Sequence, residues 1–227
     1  MLDRSASLCR AFAREILLLR EFLPPAAPDL SPRAVACWPA AAVSPSHSVS
    51  RADAPAPFHA ARSLFVYAGD VRSAIVSSKY SGRPFPADAI AQRMRDALRG
   101  PWEDLFPDGP PPTIVPVPVH PLKYLRRGFN LPALVGDPLA RMLGWPFDPL
   151  VLSRRRERLP QAGLRLADRR GNVEGAFRVP RGKDVPAGVL LLDDVYTTGA
   201  TAEAAASALK IAGADHIVVV TIACAVP

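Results

Sequence analysis

Hydrophobic and polar positions alternate in the second half of the chain in a way that predicts strands and helices in turn. Apolar runs at residues 113–119, 189–192 and 217–223 are typical of strands buried on both faces. Between them, residues 130–143 and 200–212 have the spacing of amphipathic helices. This alternation predicts the α/β class, with a mainly parallel central sheet flanked by helices.

The first half of the chain begins with a different composition. Residues 6–22 mix apolar and charged positions at a spacing that predicts a helix. Eight prolines then fall within residues 24–57, where they remove backbone donors and predict a linker or a degenerate module. The remaining predicted elements are a strand at residues 63–68, helices at 71–80 and 87–98, and extended segments at 150–152 and 176–179. The long connection at residues 153–174 is typical of a lid or binding loop.

Charge is concentrated in one part of the 227-residue chain. Residues 120–178 hold 12 lysine or arginine side chains against five acidic ones, a net charge of +7, which equals the net charge of the whole protein. A local basic excess raises the concentration of phosphates nearby, so it predicts an anion site for phosphorylated metabolites or nucleic acid.

The three cysteines, Cys9, Cys37 and Cys224, lie far apart and form no paired motif. They predict neither a disulfide framework nor a closed zinc site, and a reducing cytoplasm is the expected compartment. We expect no membrane association, because no stretch approaches the ~20 apolar residues of a membrane span.

The segment VLLLDDVYTTGAT, residues 189–201, carries the clearest chemistry. Asp193 and Asp194 follow a buried strand, at the end where α/β sheets place their ligands. Strand alternation predicts that their side chains point to opposite faces. Small and hydroxyl residues then lead directly into a helix whose N-terminus favours a negative charge. Carboxylates that accept from ribose hydroxyls, beside an amide cradle for phosphate, predict a sugar-phosphate site.

This segment resembles the phosphoribosyl pyrophosphate (PRPP) signature of type I phosphoribosyltransferases. Residues 67–82, 114–130 and 154–177 resemble successive blocks of the ComF family of competence-related, phosphoribosyltransferase-like proteins. The resemblance implies a type I phosphoribosyltransferase domain at residues 61–227, with a small hood at about 61–110 and a core at about 111–227. Residues 1–60 would form the N-terminal helix and the proline-rich module.

The resemblance also implies roles for individual residues. The ribose and 5′-phosphate of PRPP would be bound by Asp193, Asp194, Val195, Tyr196, Thr197, Thr198, Gly199, Ala200 and Thr201, with the two aspartates catalytic. The pyrophosphate loop and the flexible loop would contribute Val117, Pro118, Val119, His120, Lys123, Arg126, Arg127, Arg154, Gln161 and Arg169. Mg²⁺ is the implied cofactor, held mainly through PRPP rather than by side chains.

Several positions depart from the family pattern or have simpler explanations. Ala26, Ala27 and Pro28 stand where many members begin a four-cysteine zinc module, so we expect no structural zinc. Leu131 replaces a usual glutamine, and Pro138 is expected to interrupt its helix. We predict His120 as a surface turn residue, Phe129 as a core anchor, and Asn130 as a helix cap with Pro132 in the first turn.

Three functions remain open from the sequence. The first is a Mg²⁺-dependent transfer of phosphoribosyl to an unknown acceptor, with release of pyrophosphate. The second, implied by the family, is binding of single-stranded DNA in natural transformation, with a competence helicase as partner and PRPP binding regulatory or vestigial. The third is a PRPP-sensing regulator. The basic region holds few aromatic residues, Tyr124, Phe129, Trp145, Phe147 and Phe177, which weighs against a dedicated DNA surface.

Overall fold

The computed structural model describes residues 34–35, 56–81, 85–106, 109–154 and 175–225. The helix predicted at residues 6–22, nearly all of the proline-rich segment and most of the long basic connection lie outside these ranges. Within the described residues, no helix is both long and apolar enough to cross a membrane.

Apart from the helix at Pro121–Arg127 and a short 3₁₀ turn, the elements follow one another in the order that the hydrophobic pattern predicts. The strands are β1 (Ala60–Val66), β2 (Thr113–Pro116), β3 (Ser153–Arg154), β4 (Phe177–Arg178), β5 (Gly188–Tyr196) and β6 (His216–Cys224). The helices are α1 (Gly69–Ser81), α2 (Ala87–Leu98), α3 (Pro121–Arg127), α4 (Leu131–Leu143) and α5 (Ala200–Ile211), with a short 3₁₀ turn at Glu103–Leu105.

Four strands form a parallel central sheet in the order β1-β6-β5-β2. In its register Leu190 of β5 pairs with Val218 of β6 and with Ile114 of β2. The strands β3 and β4 form a separate antiparallel pair. The predicted fold class is confirmed: a parallel four-stranded sheet flanked by five helices, consistent with a phosphoribosyltransferase-like fold. Strand β1, within the range predicted as the hood, is an edge of this central sheet.

The two faces of β5 pack into two different cores. Leu190 and Leu192 lie in the core that α1, α2 and α4 cover, whereas Val189 and Leu191 lie in the core that α5 covers. All four side chains are completely buried. Burial on both faces explains the uninterrupted apolar run, and each such side chain contributes ~1.5–3 kcal/mol to folding.

Pro138 does not interrupt its helix, and that prediction was wrong. Helix α4 runs through Pro138, whose ring is buried in it. A proline inside a helix costs ~3 kcal/mol. Burial of Leu131, Val135 and Leu139 against the sheet contributes more than this, at ~1.5–3 kcal/mol for each side chain, so the helix continues.

Helix α3 was not predicted, because it has no apolar face directed at the core. None of its residues is buried, and Leu122 and Leu125 are 71% and 80% exposed. Its ends follow local rules: Pro121 stands in the first turn, and Gly128 ends the helix with a φ of 80°. The short strand β3 begins just after the extended segment predicted at residues 150–152.

Candidate functional site

The carboxyl ends of β2 and β5 lie side by side. The loop that follows β2 and the turn that follows β5 are therefore neighbours. The backbone N–H of Val117 donates to the carbonyl oxygen of Leu192 at 2.8 Å, which extends the contact beyond the paired strands. The loop at residues 117–120 therefore lies beside Asp193 and Asp194. Ligands of α/β sheets bind at this edge.

The two aspartates have different neighbours. The carboxylate of Asp194 forms an ion pair with the Lys79 ammonium, near the C-terminal end of α1. Oδ1 of Asp193 accepts a hydrogen bond from the backbone N–H of Asp194 at 2.8 Å. Asp193 forms no ion pair with any other residue in the described ranges, so α1 neutralises only one of the two acids directly.

Burial and, to a smaller extent, the neighbouring charge of Asp194 together raise the pKa of Asp193 from an ordinary 3.8 to about 7. The hydrogen bond from the Asp194 N–H and the positive charges of Lys79 and Arg154 act in the opposite direction. Asp193 therefore exchanges its proton near neutral pH. Such a pKa is typical of carboxylates in ligand sites.

The turn between β5 and α5 forms a tight cradle. Gly199 has a φ of 81° at the start of α5, and a Cβ added there would lie 2.6 Å from the hydroxyl oxygen of Tyr196. This position therefore requires glycine, both for its backbone conformation and for its contact. The first N–H groups of a helix have no partner within the helix and can donate to an anion.

Tyr196 lies beneath this cradle. Its side chain is only 5% exposed, and its hydroxyl makes no hydrogen bond within the described part of the chain. Burial and the nearby charge of Glu203 raise the pKa of Tyr196. The hydroxyl therefore stays protonated under ordinary conditions. A small cavity of about 10 Å³ lies beside it, lined also by Thr197, Gly199 and Thr201.

A larger cavity of about 230 Å³ opens between the two strand ends. Its walls carry opposite charges, since Asp193 and Asp194 face the same space as Lys123, Arg127 and Arg154. Both aspartates thus line one cavity, although strand alternation predicts that their side chains point to opposite faces. A ligand that combines hydroxyl donors with anionic groups matches such a surface. The volume is slightly below the ~300–1,000 Å³ of typical ligand pockets, and it suits a small ligand.

Aromatic rings hold the arginines at the mouth of this cavity. The guanidinium carbons of Arg127 and Arg126 lie 5.2 Å and 6.0 Å from the centre of the Tyr80 ring. The guanidinium of Arg154 lies 5.3 Å from the ring of Phe177. Each contact contributes ~0.5–1 kcal/mol at such partly exposed positions. The buried Nε of Arg127 makes no hydrogen bond to a described residue.

The structure gathers most of the predicted site residues. Those that line the larger cavity are Val117, Pro118, Val119, Lys123, Arg127, Arg154, Asp193, Asp194, Val195 and Thr201. Tyr196, Thr197 and Gly199 line the smaller one, while Thr198 is exposed in the turn and Ala200 begins α5. Gln161 and Arg169 lie outside the described residues.

Two predicted residues lie apart from the cavity walls. His120 caps α3, where its Nδ1 accepts a hydrogen bond from the N–H of Leu122 at 3.3 Å, which agrees with a surface turn role. Arg126 is exposed, and its guanidinium lies over Tyr80.

Asn130 precedes α4, but its side chain makes no cap and instead donates to the carbonyl oxygen of Val117. Phe129 packs at the edge of the core, as predicted.

Lys79 and Tyr80 are site residues that the sequence interpretation did not assign. Both line the larger cavity, from a helix that is far from the other site residues in sequence. They stand in the block at residues 67–82 that resembles the ComF family. The adjacent lysine and aromatic residue in that block are the feature of the sequence that could have indicated their place in the site.

The donor set near the cavity does not form a closed metal site. Among the described residues, no group of three or more His, Cys, Asp or Glu side chains is placed to hold a metal ion. Two adjacent carboxylates, one of them paired with Lys79, suit a hard cation that takes its oxygen ligands from a bound diphosphate and from water.

Fold and site together define an α/β protein with paired carboxylates and a basic cavity at the carboxyl ends of its parallel strands. None of the known protein-family profiles matches the chain. Individual relatives do. The chain is 35% identical over 109 residues to "Competence protein F" of Haemophilus influenzae, an alignment that covers 47% of this chain and 48% of that protein.

Two further relatives extend the comparison. "DNA utilization protein YhgH" of Escherichia coli K12 is 34% identical over 110 residues, covering 47% of each chain. "Competence protein ComFC" of Streptococcus pneumoniae is 28% identical over 156 residues, covering 69% of this chain and 64% of that protein. The chain spans about half the length of the first of these relatives. These relatives carry the names of competence proteins and of a DNA utilization protein, and the resemblance to the ComF family is confirmed.

Proposed function

We propose that this protein acts in the uptake or utilisation of DNA and that its site binds PRPP. The names of the relatives support the first part. The second part rests on one observation: Asp193 and Asp194 stand at the end of β5, between the cradle at Gly199 and a cavity with basic walls. We place the protein in the cytoplasm, as its scattered cysteines suggest.

In this proposal each part of the site binds one part of the ligand. The turn before α5 holds the 5′-phosphate through backbone N–H groups and the hydroxyl of Thr201. The aspartates accept hydrogen bonds from the ribose hydroxyls. Lys123, Arg127 and Arg154 bind the pyrophosphate, which carries the largest negative charge and needs the most cationic surroundings.

Transfer of phosphoribosyl is the chemical step that such a site would support. The bond between ribose C1 and the pyrophosphate oxygen breaks, the electron pair leaves with pyrophosphate, and C1 forms a bond to the acceptor. Bound Mg²⁺ would supply charge neutralisation on the pyrophosphate oxygens. The protein's contribution is to position the ribose and to stabilise developing charge on the leaving group with the basic side chains.

Thermal denaturation with three ligands tests this proposal. PRPP, ribose 5-phosphate and pyrophosphate should each raise the melting temperature, with PRPP the most effective and its effect dependent on Mg²⁺. The variant Arg127→Gln should reduce the effect of pyrophosphate and leave that of ribose 5-phosphate largely intact. Arg141→Gln, which removes an exposed arginine of α4, is the matched control. If Arg127→Gln reduced the rise in melting temperature equally for pyrophosphate and for ribose 5-phosphate, the assignment of Arg127 to pyrophosphate alone would be contradicted.

Single-stranded DNA is the second candidate ligand, and one specific observation favours it. Tyr80 and Tyr124 are 46% and 50% exposed, and Tyr80 stacks beside Arg126 and Arg127. Tyr80 lies outside the basic region in sequence but joins it in space. Exposed aromatic rings among arginines suit the stacking of successive bases along a phosphate backbone.

Affinity for a fluorescent oligonucleotide, measured against salt concentration, tests this candidate. We expect affinity to fall steeply with salt, and each of Tyr80→Leu and Tyr124→Leu to weaken binding by ~1–3 kcal/mol. Tyr67→Leu is the aromatic control outside this patch. Binding that is insensitive to salt and to the tyrosines would contradict the proposal. Competition by PRPP would locate both ligands at one site.

A further inference from the structure

Lys79 of α1 contacts the acid pair, and the role that we assign to it rests on the proposed function of the site. We propose that Lys79 is a positioning residue for the acid pair: from α1 it fixes Asp194 and supplies the positive charge that lets both carboxylates accept hydrogen bonds from the vicinal hydroxyls of a ribose phosphate. Recognition of the sugar by the acids of β5 thereby depends also on α1, the helix that carries Lys79.

The first support is the geometry of the ion pair. The Lys79 and Asp194 side chains are only 15% and 22% exposed, so water screens their attraction weakly. The C-terminal end of a helix also favours a positive charge, and Lys79 stands in the last turn of α1. A pair so enclosed holds the Asp194 carboxylate in one orientation.

The second support is the crowding of negative charge. Asp193 and Asp194 are adjacent and line the same cavity, and the backbone N–H of Asp194 donates to Oδ1 of Asp193, which orients the Asp193 carboxylate. Two such groups tend to share a proton, and a shared proton removes one acceptor. Among the described residues, the charged groups that shift the pKa of Asp193 are Asp194, Lys79 from α1 and Arg154 from β3, while Lys123 and Arg127 line the same cavity. Of Lys79 and Arg154, only Lys79 is in contact with the pair.

The third support is the arrangement of the cavity. Tyr80, the next residue of α1, lies under the guanidinium of Arg127 on the opposite wall. Two consecutive residues of α1 thus contact both parts of the proposed site. Lys79 contacts Asp194 of the ribose subsite, and Tyr80 contacts Arg127 of the pyrophosphate subsite. Lys79 keeps Asp194 directed into the same cavity that Arg127 lines.

The test compares two probe ligands that differ by one hydroxyl, ribose 5-phosphate and 2-deoxyribose 5-phosphate. In Lys79→Gln, affinity for ribose 5-phosphate at pH 7 should fall about 10-fold, the value of a hydrogen bond to a charged group. Affinity for the deoxy ligand should change little. Raising the pH to 9 should restore much of the loss, because the acid pair then ionises without help.

Matched variants separate this effect from general damage. Lys79→Met keeps the apolar stem and loses the charge, so it should behave as Lys79→Gln does. Lys79→Arg keeps the charge and should retain most of the preference for the ribose ligand. Lys183→Gln removes another ion-paired lysine, one that contacts Asp148 at 2.7 Å away from the cavity, and should retain the full preference.

A second readout needs no ligand. In protein labelled with ¹³C at aspartate carboxyls, the titration of Asp193 should move to higher pH in both neutral variants and stay near the wild-type position in Lys79→Arg. An unchanged titration, or equal loss of the two sugar phosphates, would overturn the role of Lys79. Failure of the wild-type protein to bind either sugar phosphate would instead contradict the proposed function, while the titration would still judge Lys79.

Discussion

The side-chain amide of Asn130 donates a hydrogen bond to the carbonyl oxygen of Val117 at 3.0 Å. Asn130 stands immediately before α4, and Val117 begins the loop that follows β2. The bond therefore fixes both ends of the segment that contains α3 and its basic residues. It explains how a helix with no buried side chain is held beside the cavity.

Replacing Asn130 with alanine should loosen this segment. We expect a loss of ~1 kcal/mol in the free energy of unfolding and weaker binding of pyrophosphate, since the basic side chains lose their fixed position. Asn130→Asp should behave similarly because a carboxylate cannot donate this bond. Ser63→Ala, which removes a buried side-chain bond to the Thr221 hydroxyl between β1 and β6, is the control. The control variant should lower the free energy of unfolding without changing the affinity for pyrophosphate. If it weakened pyrophosphate binding as much as Asn130→Ala does, the role of Asn130 would be refuted.

Gly199→Ala should destabilise the protein more than Gly144→Ala. Both glycines have a positive φ, 81° and 70°, which costs an alanine ~1–2 kcal/mol. A Cβ at Gly144 meets nothing within 4 Å, whereas one at Gly199 meets the Tyr196 hydroxyl. In chemical unfolding, adding Tyr196→Phe to Gly199→Ala should recover part of the excess cost. No recovery would show that the contact is not the cause.

The stability of the protein should depend on the ionisation of Asp193. Its raised pKa means that the folded chain holds a proton that the unfolded chain releases between pH 4 and about 7. The stability contributed by this group is therefore complete below pH 4 and is lost as the pH rises towards 7. Asp193→Asn lacks this titration, so its advantage over the wild type should grow across that window, by a few kcal/mol at ~1.4 kcal/mol per pKa unit.

Urea unfolding at pH 4.5 and 7.5 measures that advantage. Asp137→Asn, which removes an exposed aspartate of α4, controls for the loss of one negative charge. Parallel pH profiles for the wild type and Asp193→Asn would contradict the burial of the Asp193 charge.

Local patterns in the sequence predicted the parts of the fold that depend on burial. The run at residues 189–192 became the centre of β5 because both faces of that strand are covered. Helix α2 has the predicted bounds, since its apolar face repeats every fourth residue. Helix α3 was not predicted because it is stabilised by Pro121, by Gly128 and by the hydrogen bond of Asn130. None of these features produces a helical repeat of apolar residues in the sequence.

The site was predictable only where its residues are contiguous. The segment from Asp193 to Thr201 runs from the end of β5 through one turn into the start of α5, so its chemistry is visible in the sequence. The contact between Lys79 and Asp194 joins residues more than 100 positions apart, and only the packing of α1 against the sheet brings them together. The same holds for Tyr80, whose arginine partners lie on α3.

We propose that Asp193 and Asp194 form the ribose subsite of a PRPP site. Calorimetric titration of PRPP, with and without Mg²⁺, into the wild type and into the Asp193→Asn/Asp194→Asn double variant tests it most directly. We predict Mg²⁺-dependent binding by the wild type that the double variant loses. Equal binding by both proteins would show that the two aspartates do not bind PRPP.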